Sequence, residues 1–514
     1  MNQNHKIDWP VMAISGGLLI AFVIMSLINA SFVTDMVNTS FQFSADYFGA
    51  FWQVFMLLTF IIALIIGFSR YGHVKLGNTE DDQPEFSTFK WISIIMCTLL
   101  AGGGVFWAAA EPMNHFLTTP PMYDDVSGTA DAVIPALVQS FLDWGFLAWA
   151  ILGTLSAIVL MYGHYNKGMP MKPRTLLYPI FGEKIMKNSV LGTLVDAFSI
   201  IAVAAGTIGP IGFLGLQAAY GLDALFGIPN TFTTQIIVVL SLVAIASISA
   251  VTGVHRGIQI LSRYNVIFTL ILIVLVLLLG PGAFIIDSFI GGFGVYTRDF
   301  LMVSLYRGDA AWLSFWTIFF WGWFIGYGPM MAIFISRISR GRTIRQLVVA
   351  VAVIAPIVTN FWFTVVGGSG IFYELQNAGS VSDPLTEGGM PAAMMAIIEQ
   401  MPFGTALAVG FLLVTIIFVA TTSDSMSYTI SMAVTGGGNP AKGLRVFWAV
   451  LMGAVASVLL FLGESSISAL QSFIVFSAVP VSLILLPTLW LAPKVAKTMA
   501  YDQGLIPKPE PKKQ

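Results

Sequence analysis

The stretch "FFWGWFIGYGPMM", residues 319–331, combines flat aromatic side chains with residues that weaken a helix. Three glycines and a proline interrupt its two tryptophans, three phenylalanines and one tyrosine, all within a long apolar run. Glycine permits unusual backbone angles, and proline removes a backbone donor. Irregular backbone at membrane depth is tolerated only where it is buried in protein or lines a cavity. The stretch therefore predicts a broken membrane helix that forms one wall of a binding site.

The composition around this stretch indicates an integral membrane protein. Of the 514 residues, 57% are hydrophobic and 10% are charged, and the mean hydropathy is +0.84. A soluble domain carries about 25% charged residues. Apolar runs of roughly 20 residues, long enough to cross a bilayer, recur along the whole chain. We predict an all-α membrane protein with 12 transmembrane helices. The predicted spans are about 10–32, 47–69, 90–117, 132–163, 190–221, 233–252, 260–289, 311–337, 346–374, 402–433, 443–463 and 467–493.

The basic residues predict the orientation of the chain. If both termini and the even-numbered connections face the cytoplasm, every lysine and arginine except Arg298 and Arg307 lies on that side. The positive-inside rule therefore predicts cytoplasmic N- and C-termini. The first span lacks a small-residue cleavage site, so we expect it to be retained. The single cysteine, Cys97, excludes a disulfide framework. Nothing in the charge pattern indicates a nucleic-acid partner.

Motifs recur at corresponding positions of two groups of spans. Span 3 carries "AGGG" (101–104) and span 8 carries "GWFIGYGP" (322–329). Span 5 carries "AAGTIGPIG" (204–212) and span 10 carries "ATTSDS" (420–425). Interrupted helices at matching positions of inverted halves indicate a transport site, although glycine also serves close helix contacts. We predict two inverted five-helix repeats, spans 3–7 and 8–12, each opening with a glycine-broken helix.

The predicted domain order follows from these repeats. The segment "GGFGVYTRDFLMVSLYRGDA" is too short and too polar to span, and its pattern predicts an amphipathic helix in the outer interface. The predicted parts are an N-terminal two-span region (1–89), the first repeat (90–290), the interfacial helix (291–310), the second repeat (311–493) and a short cytoplasmic tail (494–514).

Aromatic residues on span 8 predict a substrate site. Phe320, Trp323 and Tyr327 lie close to one face of a helix, and Trp316 and Phe324 flank them. Aromatic faces suit a ligand with a diffuse positive charge, each cation–π contact contributing about 0.5–2 kcal/mol. A peralkylated onium group is such a ligand. An aromatic packing stripe would give the same pattern.

Span 4 strengthens the prediction of a substrate site. Its segment "FLDWGFLAW" (141–149) places Trp144 and Trp149 in mid-span, although tryptophan prefers the membrane interface. Asp143 lies beside them, and intramembrane acids are costly and are functional by default. Asp143 would either attract a cationic substrate or form an ion pair within the protein. Glu111, before a proline near the outer end of span 3, is expected to be structural.

Hydroxyl groups and arginines supply two further predictions. Thr421 and Thr422 in "TTS", with Thr207 in "GTIG", offer oxygen ligands that suit Na⁺. Threonine in a helix also bonds back to its own carbonyls. The run "ISRISRGRTIRQ" (335–346) is a positive-inside anchor that could also bind lipid head groups or gate the inner mouth.

These motifs resemble those of betaine/choline/carnitine transporters. The most specific segment is "WTIFFWGWFIGYGPMMAIFISRISRGRTIRQ" (316–346), a Trp-rich eighth span followed by an arginine-rich loop. The resemblance covers nearly the whole chain. Further matching segments are "QPEFSTFKW" (83–91), "FWAAAEP" (106–112), "LLYPIFGEK" (176–184) and "FVATTSDS" (418–425). The resemblance implies a LeuT-like two-repeat core, alternating access, Na⁺ as coupling ion, a homotrimer among membrane lipids of the bacterial cytoplasmic membrane, and a substrate with an onium group.

The resemblance also implies residue roles in substrate binding. Asp143 stands where members commonly have histidine, which implies preference for a net cation such as choline or protonated trimethylamine over a zwitterion such as betaine. The aromatic residues that the resemblance implies in substrate binding are Trp144, Trp149, Trp323, Phe324 and Tyr327.

The implied sodium ligands lie on three spans. Thr421 and Thr422 match the hydroxyl pair of one sodium site, whose backbone ligands would come from near Cys97 and Leu100. Thr207 matches one hydroxyl of a second site, while the other position holds Val203.

The expected function is secondary active import of a small methylated onium compound of the choline, betaine or trimethylamine class, by Na⁺ symport. Sodium-independent exchangers carry an arginine in span 7, where this chain has Asn265, although Met331 matches a methionine that they use. The alternatives are such an exchanger or a dimethylsulfoniopropionate transporter. A channel would favour mid-membrane histidines, whereas the five histidines of this chain, His115 among them, lie in loops or near span ends. An enzyme is not expected because H-E-x-x-H and G-x-S-x-G are absent.

Overall fold

The computed structural model describes residues 6–77, 83–100, 103–187, 189–252, 255–437, 440–463 and 467–507, without the side chains of 97–100, 255–263, 265 and 266. Within these ranges the ordered elements are helices, apart from one isolated antiparallel bridge between Lys75 and Thr343. The prediction of an all-α membrane protein is confirmed.

Ten helices among the described residues are long and apolar enough to cross a membrane, and a bent pair makes eleven if it counts as one span. The predicted count of 12 therefore stays a prediction. The ten helices are Trp9–Ile28, Ala30–Phe68, Ala130–Asn166, Val190–Phe226, Phe232–Thr252, Ala310–Ile338, Ile344–Gln376, Gly404–Thr435, Lys442–Leu462 and Ser468–Asp502.

The second helix begins far earlier than the expected residue 47. Its cap is Asn29, whose side chain accepts a hydrogen bond from the Phe32 amide at 3.1 Å. Because this cap satisfies one of the free amides at a helix start, Ala30–Phe68 follows the first helix after a single residue.

Two predicted spans are divided. Span 3 consists of Thr88–Leu100 and Gly104–Leu117, and the described part of the break is Gly103, with φ −154° and ψ −20°. In the region of span 7, Ile267–Leu279 and Gly282–Ser304 meet at 105°, across Gly280 and Pro281. The helix expected over 291–310 therefore begins at Gly282, since the proline ends the preceding helix.

The prediction that span 8 is broken within its glycine-rich stretch is wrong. The helix Thr317–Ile338 is continuous through Gly322, Gly328 and Pro329, and the break lies before it, at Trp316. A Cβ at position 322 would lie 2.9 Å from the Trp52 ring, and one at 328 would lie 2.5 Å from Leu485. The glycines therefore admit neighbouring helices, which is the small-residue contact that membrane helices commonly use.

Three helices form the centre of the bundle. In their most apolar parts, 94% of residues are buried in Ala130–Asn166 and Ala310–Ile338, and 89% in Val190–Phe226. The value is 33% for Trp9–Ile28 and Phe232–Thr252, which lie at the periphery. The centre holds spans 4, 5 and 8, which carry the predicted aromatic site.

The arginine-rich loop after span 8 makes specific contacts within the protein. The Arg342 guanidinium lies 4.7 Å from the centre of the Trp91 ring and donates to Thr88 Oγ1 at 3.0 Å. Arg345 donates to the carbonyls of Gly67 and Ser69 at 3.1 and 3.3 Å. These two arginines fasten the loop to spans 2 and 3, in addition to any contact with lipid.

An aromatic box beside a buried acid cluster

Three predicted ring residues meet at the centre of the bundle. Trp144 stands nearly perpendicular to Trp323 and to Phe324, at 82° in both cases, with ring centroids 5.8 and 5.2 Å apart. The rings of Trp323 and Phe324 are parallel within 3°. Together with Tyr327 we call this group the aromatic box. Its faces form a corner of aromatic surface, which is suited to a diffuse cation because ring faces carry negative potential.

Two glycines on neighbouring helices make room for these rings. A Cβ at Gly103 would lie 2.3 Å from the Trp323 ring and 3.2 Å from the Trp144 ring. A Cβ at Gly206 would lie 2.2 Å from the Tyr327 ring and 3.2 Å from the Trp323 ring. Real Cβ atoms do not approach other atoms so closely, so both positions require glycine for this arrangement. The box is thus built from spans 3, 4, 5 and 8.

Each polar atom of the box residues has a partner. Trp323 Nε1 donates to the Gly206 carbonyl at 3.0 Å, and Trp144 Nε1 donates to Glu111 Oε2 at 2.8 Å. The Tyr327 hydroxyl lies 3.0 Å from Thr207 Oγ1. Buried tryptophan and tyrosine usually require such partners, and here the partners fix the orientation of the rings.

Trp149 lies on the next helix, Phe146–Gly153. Its Nε1 donates to Thr359 Oγ1 on the helix Ala355–Phe363, at 2.9 Å. The preceding helix, Val133–Trp144, ends at Trp144, because Gly145 has φ −97° and ψ −131°. The role of Trp149 in substrate binding, expected from the family resemblance, stays a prediction.

Other aromatic rings enlarge the box beyond the predicted set. Phe320 and Phe363 lie 5.3 and 5.1 Å from Trp144, and Phe213 lies 5.9 Å from Trp323, measured between centroids. Phe320 carries a signal in the sequence, because it shares a helix face with Trp323. Phe213 and Phe363 had none, because both are ordinary apolar residues of their spans.

Asp143 lies in a buried polar group behind Trp144. Its Oδ2 accepts a hydrogen bond from Gln139 Nε2 at 2.9 Å, and the same nitrogen lies 3.0 Å from Thr317 Oγ1. Glu111 reaches the group from span 3 while its Oε2 holds Trp144. Glu111, Gln139 and Asp143 are completely buried. The expected structural role of Glu111 thus includes holding one wall of the box.

His115 completes this group, which we call the acid cluster: Glu111, His115, Gln139 and Asp143. His115 Nε2 lies 3.6 Å from Glu111 Oε1, and its ring packs 4.5 Å from that of Trp316. The interpretation of the sequence treated His115 as a residue near a span end and omitted Gln139. The i, i+4 spacings of Glu111 with His115 and of Gln139 with Asp143 were the available signal, because such pairs share a helix face.

The predicted sodium ligands are arranged unequally. Thr421 Oγ1 donates to the carbonyls of Ile417 and Phe418 in its own helix, whereas the buried Thr422 Oγ1 has no hydrogen-bond partner. Thr207 Oγ1 lies 2.8 Å from the Val203 carbonyl as well as contacting Tyr327. Cys97 and Leu100 end the helix Thr88–Leu100, and their side chains lie outside the described residues, as does that of Asn265.

Comparison with known families agrees with a transport site of this kind. The sequence profile described as "BCCT, betaine/carnitine/choline family transporter" matches residues 10–501. The chain belongs to this family. Its members are transporters rather than enzymes, and the LeuT-like fold class expected from the sequence is that of the family.

Individual members of the betaine/carnitine/choline transporter family match over almost their whole length. A protein named glycine betaine transporter 2 from Vibrio parahaemolyticus is 54% identical over 497 residues, covering 97% of this chain and 92% of that protein. An ectoine/hydroxyectoine transporter from Virgibacillus pantothenticus is 32% identical, covering 95% and 96% of the two chains. The glycine betaine transporter OpuD from Bacillus subtilis is 31% identical, covering 94% and 92%.

Proposed function

We propose that this protein imports glycine betaine or a closely similar quaternary ammonium compound by Na⁺ symport with alternating access. The observation that carries the proposal is the corner formed by Trp144 against the parallel rings of Trp323 and Phe324. A trimethylammonium group has no N–H to donate, so aromatic faces bind it without leaving a polar partner unsatisfied. The names of the relatives from Vibrio parahaemolyticus and Bacillus subtilis support this substrate.

The position of Asp143 favours a zwitterion over a net cation. Its carboxylate accepts a hydrogen bond from Gln139 and lies with Glu111 and His115, in the acid cluster. A carboxylate held there contributes less to a ligand in the box than one that projects into it. We therefore propose glycine betaine as the leading substrate, ahead of choline and trimethylamine.

The coupling ion is assigned to span 10. The unpartnered Thr422 hydroxyl is buried, with Thr421 beside it. Oxygen ligands suit a hard, singly charged cation such as Na⁺, and we propose that these hydroxyls bind it together with backbone carbonyls near Cys97 and Leu100. Thr207, which bonds to Val203 and Tyr327, is the candidate for a second ion.

The proposed setting is a homotrimer in a bacterial cytoplasmic membrane with both termini in the cytoplasm. The distribution of lysine and arginine supports this orientation. Labelling of single cysteines placed in each terminus, in intact and permeabilised cells, would test it.

Transport in proteoliposomes tests the substrate and the coupling ion together. Radiolabelled glycine betaine, choline, carnitine and trimethylamine are supplied with and without an inward Na⁺ gradient, and dimethylsulfoniopropionate and ectoine are added as competitors. We expect accumulation of glycine betaine that requires Na⁺. Flux that ignores Na⁺ and needs substrate inside would identify an exchanger instead. Preferential uptake of choline or trimethylamine would contradict the proposal that Asp143 contributes little to a ligand in the box.

A further inference from the structure

The acid cluster holds several buried polar atoms without a hydrogen-bond partner. Glu111 Oε1, His115 Nε2, Gln139 Oε1 and Asp143 Oδ1 are all buried, and none has a hydrogen-bond partner. One ligand atom each from Glu111, His115 and Asp143 lie within 4.8 Å of one another. Among the described residues, no lysine or arginine forms an ion pair with either carboxylate. The carboxyl groups of Glu111 and Asp143 also lie within hydrogen-bond reach of each other, so the two buried groups must either share a proton or bind a compensating cation.

We propose that the acid cluster binds a divalent transition-metal cation, with Zn²⁺ as the type case. The ligands are Glu111 Oε1, His115 Nε2 and Asp143 Oδ1, and Gln139 Oε1 or a water molecule takes the fourth position. Imidazole together with carboxylates is a donor set for zinc and its neighbours, whereas Na⁺ and Mg²⁺ prefer oxygen alone. The site goes beyond the proposed transport of betaine and does not depend on it.

The remaining polar atoms of the cluster already hold the ligands in place. Glu111 Oε2 accepts from Trp144, and Asp143 Oδ2 accepts from Gln139, so each carboxylate keeps its other oxygen for the metal. The ring of Trp316 packs against the His115 imidazole. Hydrogen bonds and packing of this kind orient metal ligands in proteins. Ligands around one tetrahedral zinc lie about 3.4 Å apart, so closure from 4.8 Å needs side-chain shifts of about 1 Å.

The helices explain how four residues converge. Glu111 and His115 lie one turn apart on Gly104–Leu117, and Gln139 and Asp143 lie one turn apart on Val133–Trp144. Side chains on facing helices build metal sites in the cores of helix bundles. The bond from Glu111 to Trp144 places this site directly behind the aromatic box. Occupation by a metal would therefore fix Trp144 and couple the site to the substrate.

Direct metal binding tests the proposal without reference to transport. Purified protein is freed of metal with a chelator and titrated at neutral pH with Co²⁺, whose visible spectrum reports coordination, and with Zn²⁺ in competition. We expect one ion per chain. Asp143→Asn and Glu111→Gln should weaken binding at least a hundredfold, and His164→Gln, which changes a histidine outside the cluster, should leave it unchanged.

A second variant guards against loss of folding. His115→Cys keeps a donor in the site, so the Co²⁺ complex should persist and gain a near-ultraviolet charge-transfer band that the parent lacks. Absence of saturable binding by parent protein that still transports substrate would overturn the proposal, and a shared proton would then neutralise the pair. Equal binding by the parent and all variants would overturn it as well.

Discussion

The aromatic box and the acid cluster meet at the hydrogen bond that Trp144 donates to Glu111, yet their polar atoms differ in how completely they are satisfied. In the box, each ring N–H or hydroxyl meets an oxygen, such as the Gly206 carbonyl for Trp323 and Thr207 for Tyr327. In the cluster, four buried polar atoms have no hydrogen-bond partner. Both groups are buried at the centre of the bundle, so burial alone does not account for the difference.

The comparison indicates two ways of preparing a buried site. In the box, the protein itself satisfies every polar side-chain atom and so fixes the orientation of the rings. A ligand adds only contacts with the ring faces. The cluster is a site whose hydrogen-bonding capacity the protein leaves incomplete, which is costly unless a cation supplies the missing charge. Variants of the aromatic box should therefore act by changing how the rings pack, whereas variants of a site with unpartnered polar atoms should act by changing the affinity for an ion.

The largest effect is expected from Gly206→Ala. The added Cβ would lie 2.2 Å from the Tyr327 ring, so the ring must move and Trp323 with it. Overpacking of a buried site costs about 1–3 kcal/mol, which corresponds to a loss of about 5- to 150-fold in apparent substrate affinity. Uptake kinetics in proteoliposomes give the value.

Gly17→Ala is the matched control for Gly206→Ala. Both are helical glycines, but a Cβ at position 17 meets no atom within 4 Å. The gain in helix propensity is the same in both, so it cancels from the comparison. Equal kinetics for the two variants would show that the rings are not held by close contact with Gly206.

Removal of one ring face should have the next largest effect. Trp323→Ala is expected to lower affinity for glycine betaine about 2- to 30-fold, since one cation–π contact contributes about 0.5–2 kcal/mol. Trp323→Phe keeps an aromatic face but loses the N–H that donates to the Gly206 carbonyl. Its affinity for glycine betaine should lie between those of the parent and of Trp323→Ala. Trp490→Ala, at a ring that is 52% exposed, serves as control. Identical losses for Ala and Phe would mean that the hydrogen bond matters, and not the face.

Much of the box could be predicted from the sequence, because its signals are local. Trp144 and Trp323 are tryptophans in mid-span, although tryptophan prefers the membrane interface, and Phe324 adjoins Trp323 in the sequence. The error over the glycines of span 8 has a physical cause. A glycine that unwinds a helix and a glycine that admits a neighbouring ring look identical in sequence, and only the position of Trp52 or Leu485 distinguishes them.

The acid cluster was only half visible in the sequence. Asp143 and Glu111 were noticed because charge at membrane depth is costly, but their proximity depends on how spans 3 and 4 pack. His115 counted as a residue near a span end, since nothing in the sequence shows that the helix around it is buried by Trp312 and Trp316. Long-range packing of this kind cannot be derived from periodicity.

Thr422→Ala extends the comparison to the proposed sodium site on span 10. Its hydroxyl is buried and unpartnered, so loss of a ligand worth about 0.5–1.5 kcal/mol should raise the Na⁺ concentration for half-maximal uptake about 2- to 12-fold. Substrate affinity at saturating Na⁺ should change little. Thr429→Ala is the control, because that hydroxyl already donates to the Ser425 carbonyl of the same helix. A variant that lowers substrate affinity while its Na⁺ dependence stays normal would remove Thr422 from the ion site.

A fully paired ionic group outside the membrane should show the smallest effect. Asp8 caps the first helix, and its Oδ2 accepts from Lys172 Nζ at 2.8 Å and from Arg174 Nη2 at 3.2 Å. Burial raises the pKa of Asp8, but the hydrogen bond and charge of Lys172 and the charge of Arg174 outweigh it and lower the pKa below its ordinary 3.8. Asp8→Asn should therefore lower the free energy of unfolding by less than about 1 kcal/mol at neutral pH.

The dependence on pH gives this last prediction its sign. A carboxyl group whose folded pKa is depressed stabilises the protein at pH values above its ordinary pKa, and loses that contribution as pH falls through the folded value. Thermal unfolding in detergent should thus separate Asp8→Asn from the parent at pH 7, and the two should converge as the pH falls through the lowered pKa of Asp8. Asp35→Asn, at an exposed position, should match the parent throughout. A difference that grows toward acid would mean that Asp8 acts through something other than its pairing with Lys172 and Arg174.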